Sequence, residues 1–169
     1  MRRAITIGVA AGAAVLSIAL AAGGSAGASD GQTLTFFGDA SHESDSLIDN
    51  PPRSPSPNPG SRRFRLSAGD QLVVRTPLLD SRGGTRIGTL YAEGTIVAGS
   101  RFSNAVIHVD GVAKLGANQL AIDGIIRDQE LNTVAVTGGT GAYEGARGSV
   151  TEMDVSGGQG SKDTVHLLP

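Results

Sequence analysis

Short segments in which apolar and polar residues alternate fill most of the chain beyond residue 31, with glycine-rich or polar turns between them. This period of two is typical of half-buried β-strands, and no such segment has the 3.6-residue period of an amphipathic helix. We therefore expect an all-β fold, an antiparallel eight-stranded β-barrel in meander order. The predicted strands are Gln32–Phe37, Asp70–Asp80, Thr85–Gly99, Asn104–Leu115, Asn118–Asp128, Leu131–Gly139, Ala146–Gly157 and Lys162–Pro169.

The first 28 residues have a different pattern. Arg2 and Arg3 precede an uncharged apolar run, Ala4–Ala22, and Ala26 and Ala28 offer the small residues of a cleavage site. This pattern predicts a signal peptide over 1–28 that is cleaved after Ala28, and hence a secreted protein. An uncleaved membrane anchor is the alternative, since a spanning helix needs about 20 apolar residues.

The mature chain, residues 29–169, would be one mildly acidic domain. The whole chain has 14 basic and 16 acidic side chains, and only basic ones, Arg2 and Arg3, lie in the signal peptide. This balance predicts no nucleic-acid partner and no membrane partner after cleavage. The chain has no cysteine, so its stability must come from a hydrophobic core, which a chain of this length can bury.

A polar stretch follows the first strand and contains five prolines between Pro51 and Pro59. Because proline cannot join the interior of a β-ladder, we expect the stretch to be an extended or disordered loop, with its Pro-rich part at 50–63. The stretch begins with acidic residues and a histidine, which superficially suggest a metal site. They lack a rigid spacing, so we expect a solvated acidic loop and no metal. These residues are Asp39, His42, Glu43 and Asp45.

The most distinctive stretch is VAVTGGTGAYEGARGSVT, Val134–Thr151. A phosphate-binding glycine loop requires a helix after it, whereas a β-branched, alternating segment follows here, so we expect a tight turn between strands. The stretch resembles the allene oxide cyclase and dirigent superfamily. AGDQLVVRTPLLDSRGGTRIGT, Ala68–Thr89, and QLAIDGII, Gln119–Ile126, resemble further segments of that superfamily in the same order.

The resemblance implies a barrel that holds a small hydrophobic molecule and directs its cyclisation or stereochemistry, with no cofactor or metal. It also implies a homo-trimer or homo-dimer. The chain departs from the plant cyclases, because Gly94 stands where they have a cysteine. It departs from the plant dirigent proteins too, because Thr76 stands where they have an aspartate before a Pro-Leu pair.

Strand alternation predicts which side chains face the lumen. Because the cysteine of the cyclases faces inward, the apolar face that includes Gly94 should bind the ligand. Glu93 then faces outward. The expected ligand-binding residues are Leu72, Val74, Leu90, Ala92, Gly94 and Ile96.

Three polar residues are candidates for catalysis. Thr76 can donate a hydrogen bond from the inward face, although an ordinary strand threonine is the simpler interpretation. His108 is a candidate acid or base if it faces the lumen, and a surface histidine otherwise. Asp123 is a candidate if it lines the cavity.

Three functions remain open from the sequence: a cyclase or stereo-directing protein, a carrier of a small apolar molecule, and a structural or interaction protein. Polar groups that converge in a deep pocket would favour the first. A roomy, purely apolar cavity would favour the second, and a barrel filled by its own side chains would favour the third.

Overall fold

The computed structural model describes residues 31–50, 64–129, 131–155 and 160–169. The predicted signal peptide and nearly all of the Pro-rich loop lie outside the described residues. Nine β-strands are present in the described part: β1 Gln32–Gly38, β2 Ser44–Ile48, β3 Gln71–Leu79, β4 Arg86–Ala98, β5 Val106–Leu115, β6 Asn118–Arg127, β7 Leu131–Thr140, β8 Gly148–Asp154 and β9 Ser161–Leu167. Short 3₁₀ turns lie at Ala40–His42, Phe102–Asn104 and Gly141–Tyr143. Within these ranges no helix is long and apolar enough to cross a bilayer.

The strands form one antiparallel sheet that closes on itself. Their order is β1-β9-β8-β7-β6-β5-β4-β3-β2, and the end of β1 also pairs with the end of β3, Phe37 with Leu79 and Gly38 with Leu78. The circuit from β1 through β9 to β3 contains eight strands, so the predicted antiparallel eight-stranded barrel is confirmed.

The extra strand, β2, lies in the stretch that we expected to be an extended or disordered loop, and that expectation was wrong for Ser44–Ile48. Asp39 accepts a hydrogen bond from the backbone N–H of Ser41 at 3.0 Å and caps a 3₁₀ turn that ends β1. The chain then continues along the same edge of β3, where Ser44–Ile48 pairs with residues 71–75. Most side chains of β2 are exposed, so hydrophobic alternation gave no signal for this strand.

A buried carboxylate joins the two described ends of the β2–β3 connection. Asp70 is fully buried and accepts hydrogen bonds from the backbone N–H of Asn50 at 3.0 Å and of Ser67 at 2.8 Å. The hydroxyl of Ser67 donates a third bond at 2.9 Å. Asn50 and Ser67 are therefore both held beside the start of β3.

The glycine stretch forms the turn between β7 and β8. Gly141 and Gly145 have φ angles of +65° and +73°, a conformation that glycine adopts far more readily than other residues. The side chain of Asn118 accepts a hydrogen bond from the backbone N–H of Ala142 at 3.0 Å, and β8 follows rather than a helix. The stretch therefore has a structural role, as the turn that joins two strands.

The inward side chains form two clusters stacked along the barrel. The first comprises Leu34, Phe36, Leu78, Leu90, Ala113, Leu120, Val136, Val150, Val165 and Leu167. The second lies toward the end of the barrel where β3 starts, and comprises Phe64, Leu66, Leu72, Ile96, Ala105, Ile107, Val109 and Ile126. Members of both clusters line a cavity between them.

Candidate functional site

The cavity is an apolar chamber in the barrel interior. Its volume is about 60 Å³, several times the roughly 10–15 Å³ that one water needs, so the space can admit a small molecule. Aliphatic side chains and Phe36 make up most of the wall, and the polar residues that border it are Thr76, Glu93, Asn132, Glu152 and Asp163. Glu93 is exposed, whereas the other four are buried or partly buried.

Three of these polar residues lie in one row across neighbouring strands. In the sheet register, Asn132 of β7 pairs with Glu152 of β8, Glu152 with Asp163 of β9, and Asp163 with Phe36 of β1. All four line the cavity. The adjacent row on the same face, two residues along each strand, is apolar and consists of Val134, Val150, Val165 and Leu34. The sheet therefore places two adjacent carboxyl groups and a phenyl ring on an otherwise apolar wall.

The two carboxyl groups are available, whereas the amide of Asn132 is not. Asn132 accepts a hydrogen bond from the backbone N–H of Arg127 at 3.0 Å and donates one to the carbonyl of Arg127 at 3.1 Å. Within the described part of the chain, the side chains of Glu152 and Asp163 have no hydrogen-bond partner, although Asp163 is only 7% exposed. No Lys, Arg or His among the described residues lines the cavity.

Burial makes these groups weak acids. It raises the pKa of the Asp163 carboxyl well above its usual range, and the neighbouring Glu152 raises it further. Burial raises the pKa of Glu152 to about 7, with smaller contributions in the same direction from Asp154 and Glu43. Near neutral pH, one carboxyl group of the pair can therefore donate a proton while the other can accept one. General acid–base chemistry requires such a pair of groups.

A third carboxyl group reaches the barrel interior from the segment before β2. The hydroxyl of Thr76, which is 1% exposed, donates a hydrogen bond to Oε2 of Glu43 at 2.7 Å. Burial raises the pKa of Glu43 to about 7 even though this bond lowers it, and Asp45 contributes a further increase. Glu43 therefore does not belong to a solvated acidic loop, as we expected from the sequence, because the 3₁₀ turn at Ala40–His42 directs it toward Thr76.

The structure separates the six expected ligand-binding residues into two groups. Val74, Leu90, Ala92 and Gly94 line the cavity. Leu72 and Ile96 also point inward but are packed in the second core cluster. A Cβ atom at Gly94 would lie 2.9 Å from Cγ2 of Ile107, so the absence of a side chain there lets β5 pack closely against this part of the wall.

Two of the three catalytic candidates lie outside the cavity. Nε2 of His108 is 3.0 Å from Oδ2 of Asp123 on the outer face of β5 and β6, and their side chains are 44% and 48% exposed. Alternation on β5 places Ile107 and Val109 inward instead. Thr76 alone of the three lines the cavity. Nowhere in the described ranges is a group of three or more His, Asp or Glu arranged to hold a metal ion.

From the sequence we did not predict the acidic row, that is, the neighbouring carboxyl groups of Glu152 and Asp163 on the cavity wall. A usable signal was present, because Val150 and Val165 are inward-facing strand residues, and Glu152 and Asp163 each lie two positions from one of them. The polar character of both residues made them look like surface positions. The contribution of Glu43 had no comparable signal, since it depends on the turn that precedes β2.

Comparison with known proteins identifies similar folds among solved structures but no match to a protein family or to a curated sequence. No protein-family profile and no curated protein sequence matches the chain. Among solved structures, pyocyanin demethylase matches with a TM-score of 0.59 and 19% identity over 80% of this chain and 99% of that one. The pterocarpan synthase dirigent protein GePTS1 matches with a TM-score of 0.57 and 15% identity over 85% and 89%.

A third similar structure is a nonspecific heme-binding cyclase that catalyses a [4 + 2] cycloaddition during neoabyssomicin biosynthesis. Its TM-score is 0.52 and its identity 13%, over 83% of this chain and 64% of that one. At these identities the similarity concerns the fold. The chain thus has the barrel fold of these three structures.

Proposed function

We propose that this protein binds a small, largely apolar molecule in its barrel and directs the cyclisation or stereochemistry of that molecule, with buried carboxyl groups as the proton donor and acceptor. The observation that carries the proposal is the pair Glu152 and Asp163, side by side on an apolar cavity wall. A purely apolar chamber would favour a carrier, whereas unpaired buried acids are costly to the fold and are typical of functional sites.

The chemistry would combine confinement with proton transfer. Aliphatic walls would hold the substrate in a conformation close to that of the product, which removes much of the entropic cost of ring closure. Asp163, the more deeply buried acid, would donate a proton to a substrate oxygen or nitrogen as charge develops on that atom. Glu152, whose pKa is about 7, would accept a proton from another position of the substrate, and passage of that proton to Asp163 would restore the starting state.

The structural similarities support the cyclisation part of the proposal at the level of fold. A pterocarpan synthase dirigent protein and a cyclase that catalyses a [4 + 2] cycloaddition have this barrel fold. Pyocyanin demethylase has it too, so the fold is compatible with more than one kind of reaction. The acidic row is the feature of this chain that would set its own reaction.

A direct experiment is to incubate the purified protein with small-molecule extract from its source organism and to analyse both the solution and the re-isolated protein. A compound that keeps its mass but changes its retention time would support the proposal and would identify the substrate. A compound that is retained and released unchanged would establish a carrier and contradict the catalytic part.

Filling the cavity should prevent binding. We expect Ala92→Leu to weaken ligand binding about tenfold or more, because its larger side chain projects into the chamber, at a cost to the fold of about 1–3 kcal/mol. Thr95→Leu is the matched control, since Thr95 lies on the same strand but is exposed on the outer face. Equal affinities for the two variants, measured by titration calorimetry with the retained compound, would show that the ligand binds elsewhere.

We further propose that the protein is exported. Expression in its source organism should yield a chain in the culture medium that begins at Ser29, as determined by intact-mass measurement and N-terminal sequencing. A cell-associated chain that keeps residues 1–28 would instead establish the membrane-anchor alternative.

A further inference from the structure

Among the described residues, no Lys, Arg or His lines the cavity opposite its acids, Glu152 and Asp163. The charged groups that act on these two acids are themselves acidic: Glu43 and Asp154 raise the pKa of Glu152, and Glu152 raises the pKa of Asp163. Two salt bridges within the described ranges, His42 with Asp39 and His108 with Asp123, involve no cavity residue. An excess of acid in an enclosed site is either neutralised by protons or balanced by a cation that enters from outside.

A further observation points to a ligand rather than to protons alone. Asp163 is more than nine-tenths buried, faces the cavity, and has no hydrogen-bond partner among the described residues. Buried polar groups in folded proteins are nearly always satisfied, so its carboxyl group is suited to a polar group that this part of the chain does not supply.

The aromatic residue in the same row fits a cation. Phe36 is the cross-strand partner of Asp163 and lines the cavity beside it. A ring face next to a carboxylate is an arrangement that recognises ammonium groups, through the quadrupole of the ring and the charge of the carboxylate. The remaining wall is aliphatic and suits the apolar body of such a molecule.

We infer that the cavity selects ligands that combine a compact apolar body with a basic or cationic nitrogen, and that this nitrogen lies against Asp163, Glu152 and Phe36. The inference rests on the proposed ligand cavity and specifies its substrate class. A basic amine takes the proton of Asp163 on binding and leaves an ammonium–carboxylate pair. A permanently charged nitrogen displaces that proton to solvent. In both cases the ligand satisfies groups that the described chain leaves unpaired.

Three naphthalene probes of similar size test the inference: 1-naphthylmethylamine, 1-naphthylmethanol and 1-naphthoate. The chain contains no tryptophan, so the fluorescence of the probe can be followed directly. At about pH 8, we expect the amine to bind about tenfold or more tightly than the alcohol, and the carboxylate to bind least. At about pH 5 the preference for the amine should shrink, because protonation of the acidic row removes its charge while the amine stays cationic.

A variant pair separates charge from shape. Asp163→Asn should abolish the preference for the amine but leave binding of the alcohol unchanged, and retained binding of the alcohol shows that the barrel is folded. Asp110→Asn, a change at an exposed residue of β5, should keep the preference. If the alcohol binds as tightly as the amine to the unmodified protein, the inferred preference for a cationic ligand is wrong, although the proposed ligand cavity is supported. If none of the three probes binds, both proposals fail.

Discussion

Asp163→Asn is expected to lower the rate of substrate conversion by about 10²–10⁴-fold, the usual contribution of a positioned acid or base. Asparagine has nearly the same shape as aspartic acid but has no carboxyl proton to give. Because burial already favours the uncharged form of Asp163, the amide should be accepted without loss of stability. The measurement is the conversion rate of the compound identified from the source extract, with substrate affinity determined in parallel.

Two controls make this result specific. Asp110→Asn removes an exposed carboxylate from the outer face and should leave the rate unchanged. Glu152→Gln should reduce the rate and also shift its pH dependence, since the acidic row would then contain one fewer titrating group. A rate within about twofold of wild type for Asp163→Asn would refute the assignment of this residue as the proton donor.

The free energy of unfolding is expected to fall as the pH rises from about 5 to about 8. Burial raises the pKa of both Glu43 and Glu152 from 4.5 to about 7 and raises the pKa of Asp163 in the same direction. Each folded-state pKa lies above its unfolded value, so the stabilisation is fully present below the unfolded pKa. It is lost as the pH passes through the folded one.

Thermal melts across this range give the measurement. Since about 1 kcal/mol corresponds to a change of 2–8 °C in Tm for chains of this size class, a decrease of several degrees should be readily observed. The double variant Glu152→Gln with Asp163→Asn should have a flatter profile and a higher Tm than wild type at the alkaline end. A wild-type Tm that rises over the same interval would contradict the placement of these acids in the barrel interior.

Much of the architecture was predictable because it depends on simple alternation. On β4, the small and aliphatic residues Leu90, Ala92 and Gly94 share one face, and that face lines the cavity. The glycine stretch between β7 and β8 was likewise predictable as a turn, since the segment after it alternates as a strand does and lacks the pattern of a helix. The resemblance to the dirigent and cyclase barrels then indicated how the strands close.

The acidic part of the site was harder to predict because burial overrides polarity there. Glu152 and Asp163 occupy inward positions that a hydrophobicity pattern assigns to solvent, and only the alternation with Val150 and Val165 places them inside. Glu43 depends on a 3₁₀ turn and on a short, exposed strand paired to β3. Both elements are stabilised by contacts distant in sequence, which a local pattern does not contain.

The most direct test of the central claim is a comparison of the products formed from one extract by the wild-type protein, by Ala92→Leu and by Asp163→Asn. Liquid chromatography with mass spectrometry would follow each compound over time. The account predicts that wild type generates an isomer of unchanged mass, that Ala92→Leu binds its precursor about tenfold or more weakly, and that Asp163→Asn binds the precursor but converts it far more slowly. Identical product profiles for all three proteins would contradict a reaction in the cavity.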